Sequence, residues 1–322
     1  MITAPGNGKL WYSNLRKGIQ STIKSIMRSS TRPSDATTDN LRVQIRTQVR
    51  YCEDIPAVPS SVKTILVLLD DINSSLDDLE KAIVSDPSCV ARLIQVANST
   101  FYGSAQLVMS VRRAMLLLGF DALQALFANM PVYECFVQKN TAEIQMINSL
   151  RLHSLAVARL SQRIAADVRA IEPEVAFCAG FLHDIGQVVL LHLFPEDYYQ
   201  LLSGGENDPE FDLLKAETEI FAVTHAEVGR WFAEAWYLPV PICQTIAMHH
   251  HLRAENRLVM IVKLADFIVD KERIGLVEGH TRGSSTGPLL RGLNLSAEHL
   301  KRYGRYIQSE VNALQRSANH AA

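Results

Sequence analysis

The chain has 322 residues, 48% of them apolar and 20% charged, so it can bury a sizeable core and is not disordered as a whole. Its 32 basic and 34 acidic side chains give a formal net charge of -2, which argues against general nucleic-acid binding. Residues 1–50 hold nine Lys/Arg against two Asp, so the leading segment is basic and the remainder acidic.

The start, Met1-Ile2-Thr3-Ala4-Pro5, has no apolar stretch behind basic residues, and no secretory signal is visible in it. The best apolar run, Val188 to Phe194, has seven residues and contains His192, against the roughly 18 that span a bilayer. Five cysteines (Cys52, Cys89, Cys135, Cys178 and Cys243) stand apart with no Cys-x-x-Cys pair. Buried free thiols in a reducing, cytoplasmic setting are expected.

In chain order, residues 1–40 read as a basic amphipathic helix followed by a polar linker. Leu10, Trp11, Leu15, Ile19, Ile23 and Ile26 alternate with Lys9, Arg16, Lys17, Lys24 and Arg28. Such a helix suits an anionic membrane surface or a partner's groove through residues 9–28; equally, it suits packing on its own domain. Residues 29–40, broken by Pro33, form the linker.

Residues 41–139 read as an N-terminal helical bundle. Ile65, Leu66, Leu68, Leu69, Leu76, Leu79 and Ile83 recur at three-to-four spacing. Ser75 with Asp78, Asp86-Pro87, and Ser110 before Val111–Leu118 mark helix starts. Asn98-Ser99-Thr100-Phe101-Tyr102-Gly103 reads as a helix end closed by Asn and Ser, with its two aromatics between bundles; the alternative is an aromatic turn displayed to a partner.

A second bundle is expected over residues 140–275. Leu152, Leu155, Ala156, Leu160 and Ile164 repeat helically, and Pro173 follows Glu172 at another start. Residues 203–209 form a surface loop. Residues 276–322 hold a mobile loop at 279–288 and a final helix near 296–316. Strand signals are scarce, so the fold class is all-α, of a dozen or so helices in two bundles.

Seven of the ten histidines fall between positions 153 and 251. His183-Asp184 ends an apolar helix, and such a pair lets a ring nitrogen and a carboxylate oxygen share an ion while the second oxygen bridges to another. His153 lies on the preceding long helix, and His225 opens the helix Ala226–Trp236. His249-His250-His251 ends the helix begun at Pro241, and Asp266 sits on the next one. Burying these groups apart would cost a few kcal/mol each, so they are expected to meet one another or an ion. Mixed imidazole and carboxylate ligation suits Fe, Mn, Co or Zn better than Ca. For any one of them the plainer alternative is a satisfied core histidine.

Several motifs together resemble the HDOD (HD-related output domain) family. They are Ile55-Pro56-Ala57-Val58-Pro59, Asp86-Pro87, Leu93-Ile94-Gln95-Val96-Ala97-Asn98-Ser99, Leu116-Leu117-Leu118-Gly119, Leu152-His153-Ser154, Leu182-His183-Asp184-Ile185-Gly186, Thr224-His225-Ala226-Glu227-Val228-Gly229 and Ile246-Ala247-Met248-His249-His250. The resemblance covers roughly residues 45–272. It implies an all-helical fold whose C-terminal bundle is related to HD-superfamily metal phosphohydrolases. It also implies a regulatory signalling role with a protein partner.

Carried onto this chain, the HD-type ligand set falls on His153, His183, Asp184, His225, His249, His250 and Asp266, implying two divalent ions. His192 and His251 have no counterpart, and His192 reads as structural. Where the cyclic-dinucleotide phosphodiesterase branch has a lysine after His-Asp-Ile-Gly, this chain has Gln187, which lacks the charge that steadies a phosphoryl group. That branch's Gly-Tyr-Pro is also missing; the chain continues His251-Leu252-Arg253. Replacement cations are Lys263, one turn before Asp266, or Arg253; an exposed lysine is the plainer reading. The expected function is therefore partner binding by a signalling protein. The alternative is a metal-dependent phosphohydrolase or phosphodiesterase acting on a nucleotide or cyclic nucleotide, with Asp184 and Lys263 as the candidate catalytic residues.

Overall fold

The computed structural model describes residues 8–28, 34–52, 59–99, 107–130, 141–205, 211–251, 256–275 and 286–320. Among the described residues there are sixteen helices and no strand. Two lead the chain, α1 (Gly8–Arg28) and α2 (Asp35–Arg50). The first bundle follows as α3 (Pro59–Asp70), α4 (Leu76–Ile83), α5 (Pro87–Ala97) and α6 (Val111–Ala128). The second runs through α7 (Thr141–Val168), α8 (Pro173–Leu182), α9 (Ile185–Leu193), α10 (Pro195–Gly205), α11 (Leu213–Phe221), α12 (His225–Ala235), α13 (Val240–Met248) and α14 (Arg257–Lys271). The last two are α15 (Gly287–Gly292) and α16 (Ala297–His320).

The expected helix starts form for the expected reason. Ser75, Asp86 and Ser110 each accept a backbone N–H of the first turn, at Asp78, Ser88 and Arg113, satisfying donors that the helix itself leaves unpaired. Asn98 closes α5: its amide donates to Ile94 O and Val108 O at 2.8 Å, and its oxygen accepts from Val108 N at 2.9 Å. Phe101 and Tyr102 lie outside the described residues.

Three expected joints differ. The linker expected at 29–40 is helical from Asp35, because Ser34 caps α2 and Leu41, Ile45 and Val49 give the helix an apolar face to bury. Residues 29–33 lie outside the described residues. Of the loop expected at 203–209, residues 203–205 are helical because α10 continues through Gly205, and 206–209 lie outside the described residues. Residues 287–288 belong to α15, where Pro288 sits in the first turn, rather than to the loop expected at 279–288.

The leading helix packs on its own chain. Ile19 and Ile23 are fully buried, Leu15 and Ile26 pack against the core, and burial of each large aliphatic stabilises by about 1.5–3 kcal/mol. Arg16 donates to the His192 carbonyl at 3.1 Å and Lys24 pairs with Glu196 at 3.2 Å. From Leu15 to Ile26 the apolar stripe is thus occupied within the molecule, which favours packing on its own domain over membrane or partner docking through residues 9–28.

One hydrophobic core runs from α1 through the first bundle into α8–α13, and a second joins α7 and α8 to α14, α15 and α16. The apolar stretch Pro173–Leu193 has 83% of its most apolar run of 18 residues buried. It is interrupted at His183-Asp184, where α8 ends and α9 begins. Gly186 decides how closely α9 meets α12: a Cβ there would lie 1.9 Å from the His225 carbonyl oxygen. Only glycine permits that approach, which brings the His183-Asp184 turn beside His225.

Candidate metal centre

The seven residues named from the sequence lie on or at the ends of six helices and meet in one place. His153 lies within α7, His183 caps the end of α8, and Asp184 follows at the start of α9. His225 is the first residue of α12, His249 caps α13 with His250 next, and Asp266 lies within α14. All except half-buried His250 are buried, none of them more than 3% exposed.

Asp184 is the pivot. Its Oδ1 lies 3.4 Å from His225 Nε2 and 3.3 Å from His249 Nε2. Its Oδ2 lies 3.2 Å from His183 Nε2 and 3.6 Å from His153 Nε2. Asp266 Oδ1 stands across the second group, 3.2 Å from His153 Nε2 and 3.8 Å from His183 Nε2. His250 Nε2 completes the first group, 2.8 Å from His225 Nε2. The ligand-type atoms therefore form two clusters, Asp184 with His225, His249 and His250, and Asp184 with His153 and His183, each within 4.8 Å.

Ring tautomers follow from the outer partners. His183 Nδ1 lies 2.7 Å from Gly180 O, and His249 Nδ1 lies 2.7 Å from Ile246 O. A carbonyl only accepts, so both Nδ1 atoms carry protons and both Nε2 atoms face the centre. His225 Nδ1 donates to the buried carboxylate of Glu217, at 2.9 Å to Oε2. These directed Nε2 atoms are the arrangement metal-binding imidazoles adopt.

A cation fits this set. Both Asp184 oxygens, His183 Nε2 and His153 Nε2 are buried without a hydrogen bond, an expensive state for groups that point at one another. Without a cation the cluster is balanced by protons. Burial opposes charge on His183, but the Asp184 and Asp266 carboxylates outweigh it and hold the ring up to about 10. Burial likewise opposes charge on His225, and Glu217 and Asp184 raise it to about 10. His249 is pushed down to about 4, chiefly by burial, with His183 and His225 adding repulsion. Burial pushes the Asp184 carboxyl up, yet the surrounding imidazoles hold it well below the carboxylate range.

Lys263 shares α14 with Asp266, and Gln187 follows Asp184 into α9. Lys263 donates to the His251 carbonyl at 2.5 Å, and burial lowers its pKa while Asp266 opposes the shift. Gln187 is fully buried one turn beyond Asp184. His192 lies on α9, and burial together with Arg16 pushes its ring down to about 4, in keeping with a structural role. His251 is exposed, and Arg253 lies outside the described residues.

Sequence reasoning missed Glu217 and Tyr198, whose hydroxyl donates to Glu217 Oε1 at 2.6 Å. It also missed Arg42, which donates to Ala222 O at 3.3 Å and pairs with Glu227, the capping-box acid of α12. The available signal for Glu217 was an acid within the apolar pattern Leu213-Leu214-x-Ala216-x-x-x-Ile220-Phe221.

A family model described as the HDOD domain matches residues 55–252. An uncharacterized protein of Treponema pallidum is 27% identical over 207 residues, which cover 62% of this chain and 38% of that protein. The chain therefore spans well under half of that relative. The crystal structure of the MmoQ response regulator from Methylococcus capsulatus is similar at 25% identity with a TM-score of 0.60, covering 79% of this chain and 99% of that one. A virulence factor from Campylobacter jejuni shares the fold at 16% identity and a TM-score of 0.53, covering 71% of this chain and 83% of that one.

Proposed function

The chain belongs to the HDOD domain family, and from that premise we propose that it is a cytoplasmic signal-transduction regulator that works by binding a protein partner. In this reading its second bundle is tied together by two divalent ions. Asp184, His225, His249 and His250 would hold one; Asp184, His153, His183 and Asp266 would hold the other. The donor set suits Fe, Mn, Co or Zn. Bound there, such ions supply Lewis acidity and cross-link helices from separate parts of the chain.

One observation carries the choice of regulator over hydrolase. Among the described residues, the cavity that reaches Asp184 has a volume of about 30 Å³ and is lined by Asp86, Pro87, Ser88, Arg151 and Ser154 among others. That is room for about one water, whereas small-molecule sites occupy about 300–1,000 Å³. The start of α5 stands over the centre, and Arg151 fastens it there by donating to Ser85 O at 2.7 Å and Ser61 Oγ at 3.1 Å. On this side of Asp184 the described residues leave no nucleotide-sized space. Support for a partner comes from α6, where Gly119 (φ 76°) interrupts the helix and Leu116 and Phe120 stand 67% and 52% exposed.

The second reading, a metal-dependent phosphohydrolase or phosphodiesterase, is favoured by the way Asp184 presents one oxygen to each histidine group. Buried Gln187, neutral where that chemistry wants a cation, weighs against it. Elemental analysis of protein purified without chelators, paired with turnover assays on nucleotides and cyclic dinucleotides, separates the two. We expect metal and no turnover. Turnover that disappears in His183→Ala or Asp184→Ala would replace the regulatory reading with the hydrolytic one.

A further inference from the structure

We propose that Glu217, steadied by Tyr198, is a positioning residue for the half of the metal centre built on His225. The inference rests on the metal reading above and adds a residue outside the ligand set.

The reason lies in where His225 sits. His183 and His249 stand at helix C-termini, and each ring donates to the carbonyl three residues earlier, at Gly180 and Ile246. Their orientation is therefore supplied by their own helices. His225 is the first residue of α12. A helix start presents N–H groups, not carbonyls, so no such acceptor is at hand. Glu217 of α11 supplies one from eight residues upstream. Its carboxylate accepts from the His225 backbone N–H at 2.8 Å and from the ring Nδ1 at 2.9 Å. The Tyr198 hydroxyl of α10 donates to the other oxygen at 2.6 Å.

Glu217 is fully buried, and these donors occupy both its oxygens, so it is no ligand itself. Its work is done through the ring. With Nδ1 as the donor, the Nε2 lone pair is directed at the side shared by Asp184, His249 and His250. A carboxylate in this place also makes the imidazole a stronger donor than a carbonyl does. The two half-sites thus differ in kind: among the described residues no carboxylate stands behind the Nδ1 atoms of His153 and His183, and one stands behind that of His225.

The test uses Zn²⁺ alone on the full chain, by chelator competition and by proton NMR of the zinc-loaded protein. Wild type is expected to bind two ions and to show a protected, far-downfield Nδ1 proton from His225. In Glu217→Gln the hydrogen-bond count is preserved but the charge is gone. One tight ion is expected to remain, the second to weaken about 10–100-fold, and the downfield proton to move upfield. Tyr198→Phe should move both readouts the same way by less, and it carries the test if Glu217→Gln does not fold. Two ions held as tightly in the variants as in wild type, with the proton unmoved, would overturn the assignment while leaving the metal reading intact. A wild type that binds no zinc would sink both, and is recognised because the variants then do not differ from it.

Discussion

The two bundles use buried polar side chains in opposite ways. In the first, Asp86, Ser88 and Ser110 are buried at helix starts, where Asp86 and Ser110 accept backbone N–H groups. In the second, His153, His183, Asp184, His225, His249 and Asp266 are buried facing one another. A polar group spent on backbone serves the fold. Inward-facing atoms without hydrogen bonds, such as both Asp184 oxygens and the Nε2 atoms of His153 and His183, leave a demand that protons or a cation must meet.

The comparison breaks most visibly at Asp184. Asp184→Asn removes the charge both clusters share, and loss of one member of a buried charged set costs about 3–5 kcal/mol. We expect both ions to be lost and the unfolding midpoint to fall to that of chelator-treated wild type or below it, which calorimetry with metal analysis will show. An unchanged metal content in this variant would remove Asp184 from its pivotal place.

Leu93, fully buried in α5 of the first bundle, sharpens the contrast. Leu93→Ala should cost about 2–5 kcal/mol through the cavity it leaves. Metal content per folded molecule should stay the same, because the loss falls on packing alone. Equal loss of ions and stability would mean that the bundles do not divide the labour in this way.

The smallest effect is on the pH dependence of stability, at His192. Its folded pKa, about 4, lies below the ordinary value of 6.5, chiefly through burial and then through Arg16. Between these values the unfolded chain binds more protons, so stability declines as pH falls from 6.5 to 4 and this cost is absent above that window. His192→Gln should flatten the slope of denaturation midpoints across that interval, with little change above it. An equally steep slope in the variant would assign the acid sensitivity to other groups.

Much of this was legible in the sequence because a polar residue at the end of an apolar helix is a local signal. His183, His249 and Asp266 each stand out against their neighbours. Caps are local too, and Ser75, Asp86 and Ser110 all formed as expected. What failed was pairing at a distance. The stripe of α1 is the same string of residues whether it meets lipid, a partner or α2, α10 and α11, and only the fold decides which. Glu217 sits two residues from Glu219 and resembles it in sequence; burial against Tyr198 and His225 separates them. Likewise, apolar patterning records which face is buried but not against what, and one hydrophobic core draws residues from both bundles.

Arg42 belongs to the leading pair of helices, which precedes the matched region at 55–252. Its guanidinium grips Ala222 and Glu227, the residues on either side of the turn into His225. The start of α12, and with it His225, is thereby tethered to helices that lie outside the matched region.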